Sequence, residues 1–440
     1  MNTLREAHAH VAAHGREMSQ LNLVACPSRV ECLDLLRQET ARLDRSKEPG
    51  WLVATGARVE AWAGAPGGPV WPTMAELDAA SPRRPCMVQS FDHHACAVNA
   101  AALAAAGFTS TSPDPAGGRL VRDAAGDFTG LLLESAYGAV RRAVPEPSRE
   151  QWKEYLRAAM QDLSRHGFVE VHDLLSPRWL GPVLAELDAA GELPMSVWLY
   201  PLVEDLGAVA ASRNGWERGR VRLAGGKVFA DGTLNSRTAW MLEPYADALP
   251  GMPHGQAMVS PVQLDAALER TSELGVGLAV HAIGDGAVRA VLDAFARSHV
   301  TRLRRNSHGV REAPGGGVPA LRVEHAELVD AADVPRFAEL GVVCSVQPCH
   351  LLYDIEALTK GQPGRLDRVL PLRELERSGC RPGELMWFGS DVPIVRPHPE
   401  DSIRAAVKRR RADAPEGAAI GPGQAISEAE AWRAFGVDRV

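Results

Sequence analysis

An α/β fold built on parallel strands, of the (β/α)8 barrel kind, follows from three observations on the 440-residue chain. From about residue 150 onward helical patterns alternate with short β-rich runs, and those runs end in Gly, Asp or His. The polar residues fall at the C-terminal ends of the runs, where such a barrel gathers its active site. No internal repeat is evident.

The first run is EAHAHV. A strand sends residues i and i+2 to one face, so His8 and His10 can reach one ion together. Residues 20–135 are less regular, rich in Pro and Gly around GAPGGPVWP and TSPDPAGG, and read as an inserted excursion or small subdomain supplying a wall or lid. The expected organisation is therefore a first barrel strand in 1–19, the excursion in 20–135 and the rest of the barrel in 136–440. The later strand-like runs are GFVEVHD (167–173), SVWLYPLV (196–203), VRLAGGKVFADG (221–232), GVGLAVHAIGD (275–285), ALRVEHAE (320–327), GVVCSVQP (341–348) and LMWFGSD (385–391). Helical segments such as SPVQLDAALERTSELG and GDGAVRAVLDAFARSH lie between them, several opening on a Ser or Asp cap and closing at Gly. The stretch 304–319 reads as a surface loop with a solvated His308.

Composition narrows the partners. With 45% apolar and 23% charged residues and a net charge of -7, the chain reads as an ordinary globular protein with a large core. Its seven scattered cysteines form no CxxC pair and suit a reducing cytoplasm. The N-terminus lacks a signal-peptide core, and no stretch approaches the roughly 20 apolar residues of a membrane helix. The acidic balance argues against a nucleic-acid face, and the basic run Lys408 to Arg411 reads as a solvated helix face. A small-molecule substrate is the expected partner, and a homo-oligomer is compatible with the composition.

Six candidate metal-site residues stand in fixed order at the ends of these runs: His8, His10, Lys227 in GGKVFADG, His281 in AVHAIGDG, His325 in RVEHAEL and Asp391 in WFGSDVPI. With WPTMAELDAASPRRP, DHHACAVNAAAL, TGLLLE, GGKVFADGTLNSRTA, SVQPCHLLYD and FGSDVPI, this ordered set resembles the amidohydrolase superfamily, specifically the amidohydrolase 3 (YtcJ-like) branch of metal-dependent hydrolases. The resemblance runs from residue 6 to about 395. It implies one or two divalent ions, zinc foremost, held by the four histidines, Lys227 and Asp391. An ammonium cannot ligate a cation, so the resemblance implies a carbamylated Lys227 bridging two ions; a single-ion site needs no bridge. Asp391 is implied as the catalytic proton shuttle in hydrolysis of an amide or similar C–N bond. An esterase, lactonase or deaminase on the same site, or an inactive barrel acting as a binding protein, are the alternatives.

His94, Arg237, Asp285 and His350 occupy family positions expected to contact substrate. His93 stands where relatives carry glycine, His172 could face the cavity, and His14 is a candidate supporting residue. The family's small β-sandwich is largely missing from the sequence, and Glu6 replaces the aspartate usual two positions before the first histidine.

Overall fold

The computed structural model describes residues 3–46, 50–59, 62, 70–91, 93, 95–109, 111–115, 117–249, 251–298 and 321–436. It divides into two compact units, Ala13–Tyr155 and the remainder, Met1–Ala12 with Leu156–Val440. His94 and His308 lie outside the described residues.

The larger unit begins with β1 (Leu4–Ala9), a strand buried along its whole length. The chain then makes the Ala13–Tyr155 unit. Its strands are β2 (Leu21–Asn22), β3 (Leu52–Ala57), β4 (Cys86–Ser90), β5 (Ala95–Val98), β6 (Gly118–Arg122) and β7 (Phe128–Glu134), in the order β2-β3-β4-β5-β7-β6. The two sides of this sheet serve different cores. Val88 and Ala97 pack with Leu33, Leu36 and Leu77, whereas their neighbours Met87, Cys96 and Val98 pack with Leu103, Leu132 and Tyr137, as the period-2 alternation of a strand requires. A capping box between Thr73 and Glu76 starts the helix Met74–Ala80.

The larger unit resumes with β8 (Phe168–Asp173), β9 (Ser196–Leu199), β10 (Val221–Leu223), β11 (Gly225–Phe229), β12 (Gly277–Ala282), β13 (Leu321–His325), β14 (Val343–Val346) and β15 (Met386–Phe388). They form two parallel sheets, β1-β8-β9-β10 and β11-β12-β13-β14-β15. Parallel neighbours need long crossovers, and helices such as Leu180–Ala189, Pro261–Glu273 and Asp285–Arg297 supply them. Strands covered on both faces read as unbroken apolar runs; β12, β13 and β14 are buried at every position.

Backbone bonds tie the sheets to each other at both ends. Lys227 N–H donates to Pro201 O at 2.8 Å, while His10 N–H donates to Val392 O and Asp391 N–H to His8 O, each at 2.8 Å. The core runs between strands and helices through Val171, Leu184, Val197, Val280, Val323, Val346, Phe388 and Phe435. Among the described residues no helix is long and apolar enough to cross a membrane.

Candidate metal centre

The strand ends of the larger unit bring the predicted ligands together. His8 lies near the end of β1, with its Nε2 3.5 Å from Asp391 Oδ1, and His10, one residue past the strand, places its Nε2 2.9 Å from the same oxygen. Ring centroids step across the site: His8 to His10 5.5 Å, His8 to His325 4.8 Å and His325 to His281 4.5 Å. Ligand atoms of His8, His325 and Asp391 lie within 4.8 Å of one another. Lys227, at the centre of β11, is 1% exposed, with its Nζ 5.0 Å from the Phe229 ring.

Burial sets the charge states. It pushes the imidazoles of His8 and His325 well below their usual pKa and that of His281 down to about 4, with the Lys227 charge acting the same way on all three. These rings are neutral and present lone pairs. Burial also lowers Lys227 to about 8 against the opposing pull of Glu324 and Asp391. For Asp391 burial works upward, but the imidazoles around it outweigh it and hold the carboxyl below the ordinary range.

Buried polar atoms are normally hydrogen-bonded. Here Lys227 Nζ, His10 Nδ1, His325 Nδ1 and Asp391 Oδ1 have no aligned hydrogen-bond partner. His10 Nε2 is near Asp391 Oδ1 in distance but off hydrogen-bond geometry. Imidazole nitrogens converging with a carboxylate suit zinc and related divalent ions, so the residues present fit the implied metal. The backbone is strained at the same place: His325, Ala326 and Asp391 take φ of 72°, 43° and 65°, a region side chains enter at a cost and hold mostly at functional sites.

The expected substrate residues separate. His350 joins the cluster, with Nε2 3.7 Å from Asp391 Oδ2 and Nδ1 3.3 Å from Glu327 Oε1. Burial alone would lower its pKa, but Glu327, Asp391 and Asp354 raise it to about 9. Arg237 is engaged by Asp247 through contacts of 2.7 and 2.6 Å. Asp285 accepts from Leu242 N–H at 2.8 Å and pairs with Arg365 at 2.7 Å. His172 sits outside the cluster, between Arg322 at 2.5 Å and Glu170 at 3.1 Å. In the other unit His93 adopts φ 61° and meets Gln89 at 2.5 Å.

Several supporting residues have roles that the sequence does not assign. Glu324 Oε2 accepts from His8 Nδ1 at 2.8 Å. Glu6 Oε1 accepts from the backbone N–H of Ser390 at 2.8 Å and of His8 at 3.1 Å, fastening β1 to the segment that carries Asp391. A Cβ at Gly389 would stand 2.7 Å from that Glu6 oxygen and 2.6 Å from His8 N, so only glycine fits. Asp231 accepts from the backbone of Ile283, Gly284 and Trp240 at 2.8 to 3.0 Å and lies 3.5 Å from His281 Nε2. The available signal was local: Arg322 and Glu324 alternate with apolar residues in the buried strand LRVEH.

Comparison with known proteins supports the family and the fold. The chain is 29% identical over 442 residues to the putative amidohydrolase YtcJ of Bacillus subtilis, covering 98% of this chain and 77% of that one. It is 27% identical over 383 residues to the N-substituted formamide deformylase of Arthrobacter pascens, covering 83% and 66%. In fold it is similar to a metal-dependent hydrolase from Pyrococcus horikoshii, with a TM-score of 0.74 at 23% identity, covering 99% of this chain and 80% of that one. The amidohydrolase family model matches residues 4–438, and the chain belongs to that family.

Proposed function

We propose that this protein hydrolyses an amide or similar C–N bond of a small organic substrate, with zinc or a related divalent ion held by His8, His10, His281, His325, Asp391 and a carbamylated Lys227. The observation that carries the reading is the convergence of buried, unpartnered nitrogen and oxygen atoms at the strand ends. The C–N bond is favoured over an ester because a relative of this chain is named as a formamide deformylase.

Such an ion, when bound, supplies a Lewis acid and brings the pKa of water to about 7. The protein does the rest. Asp391, its carboxyl held below the ordinary range, takes a proton from the attacking water and delivers it to the leaving nitrogen. Lys227 is buried, and a lysine lowered to about 8 is part neutral near neutral pH. Its amine can then form an N–C bond with CO2 and release a proton, replacing an ammonium with an anionic ligand. The parallel strands β1, β8, β9 and β11 to β15 close as a (β/α)8 barrel in this reading, supported by the bonds that join the sheets at both ends. Seven free cysteines, all buried, support a cytoplasmic setting.

The test is metal analysis of the purified protein together with hydrolysis of a panel of N-substituted formamides and N-acyl amines before and after chelation. His281→Ala and His325→Ala should each lose bound metal and activity while keeping the fold. Full metal content in either variant removes that residue from the ligand set, and hydrolysis indifferent to chelation rejects the reading.

A further inference from the structure

We propose that Glu324 is a positioning residue that fixes the tautomer of His8, a role that rests on the metal-hydrolase reading above. Glu324 has 0% exposure and stands between a guanidinium and an imidazole. Its Oε2 is 2.8 Å from His8 Nδ1, and its Oε1 is 2.8 Å from Arg322 Nε, an ion pair close in distance but off hydrogen-bond geometry.

Arg322 is itself wholly buried. Its remaining nitrogens reach Ala7 O at 2.7 Å, Ser345 Oγ at 3.1 Å, Tyr200 Oη at 3.3 Å and His172 Nδ1 at 2.5 Å. A guanidinium is cationic and has donors only, so its charge turns one carboxylate oxygen toward it. The other oxygen, in the same carboxylate, must accept from His8. The His8 proton therefore resides on Nδ1, and the Nε2 lone pair faces Asp391 Oδ1 across 3.5 Å. Two acceptors opposed without a proton between them make a place for a cation. The sequence of contacts from Arg322 through Glu324 to His8 thus aims the imidazole and keeps its inner nitrogen free of hydrogen.

Glu324→Gln converts this claim into a measurement. Glutamine has one acceptor oxygen, and the positive guanidinium 2.8 Å away draws it, which leaves the amide NH2 facing His8 Nδ1. Nδ1 then becomes the acceptor and the proton moves to Nε2, where it blocks ligation. Nitrogen NMR of 15N-histidine-labelled, metal-free protein reads the tautomer directly: Nδ1–H in wild type, Nε2–H in Glu324→Gln. Zinc affinity, from competition with a chelator, should fall about 10- to 100-fold. Adding Arg322→Met releases the amide to turn its oxygen to His8, and a folded double variant should recover the Nδ1–H tautomer. A Glu324→Gln protein that keeps its proton on Nδ1, or that moves it and still binds zinc within about twofold of wild type, overturns the proposal. Failure of the hydrolase reading would look different: wild type would hold no divalent ion, while the tautomer in metal-free protein would still decide whether Glu324 governs His8.

Discussion

Replacing Lys227 by methionine should stabilise the metal-free protein and disable the metal-loaded one. Lys227 is 1% exposed and its amine has no hydrogen-bond partner. Burial brings its pKa from 10.5 to about 8, which corresponds to about 3 kcal/mol of unfavourable charge burial. The linkage has a definite sign. Between pH 8 and 10.5 the unfolded chain binds more protons than the folded one, so wild-type stability rises with pH across that window. Methionine fills similar space without the charge. In chelated, CO2-depleted buffer at pH 7, Lys227→Met should therefore be the more stable protein by up to about 3 kcal/mol in urea unfolding. That advantage should shrink as the pH passes 8 and vanish near 10.5. With zinc and bicarbonate present the order should reverse, because only wild type can form the carbamate ligand proposed above. Equal stabilities at pH 7, or a gap that ignores pH, would refute the argument.

Two further outcomes follow from the same geometry. Asp391→Asn should retain most of its metal through the histidines yet lose on the order of 10² to 10⁴ in kcat, read from steady-state kinetics with metal content measured in parallel; turnover within a few-fold of wild type would move the proton transfer to another group. Glu170, which burial would push upward, is brought down to about 2 by His172 and Arg5. Its depressed pKa contributes stability that is present above the unfolded value near 4.5 and lost as pH falls toward 2, so acid unfolding of Glu170→Gln should be less steep over that window than that of wild type.

Much of the site was legible because ligands sit at strand ends and strand ends are marked by turn residues. The run GVGLAVHAIGD contains β12, and ALRVEHAE contains β13, each delivering its histidine to the cluster. Other features had no one-dimensional trace. The run VRLAGGKVFADG breaks into β10 and β11, with Gly225 at the break packed so closely that a Cβ would lie 2.6 Å from Gly277 O. Asp391 stands three residues beyond β15, where the backbone has already turned to φ 65°. Arg237 pairs with Asp247 and Asp285 with Arg365, and neither pairing follows from spacing. Glu324 carries no signal in spacing; only its place in a fully buried strand, where a carboxylate must have a partner, marks it.

The bonds from Glu6 to Ser390 join positions 384 residues apart, and the metal cluster is built across that same closure. During synthesis His8 and His10 precede Asp391, their carboxylate neighbour, by more than 380 residues. Contacts of such long sequence separation form late, after the intervening loop entropy has been overcome. A nascent or truncated chain ending before Ser390 would carry most of the ligands and no assembled centre, so possession of the metal would report that both ends of the larger unit have found each other.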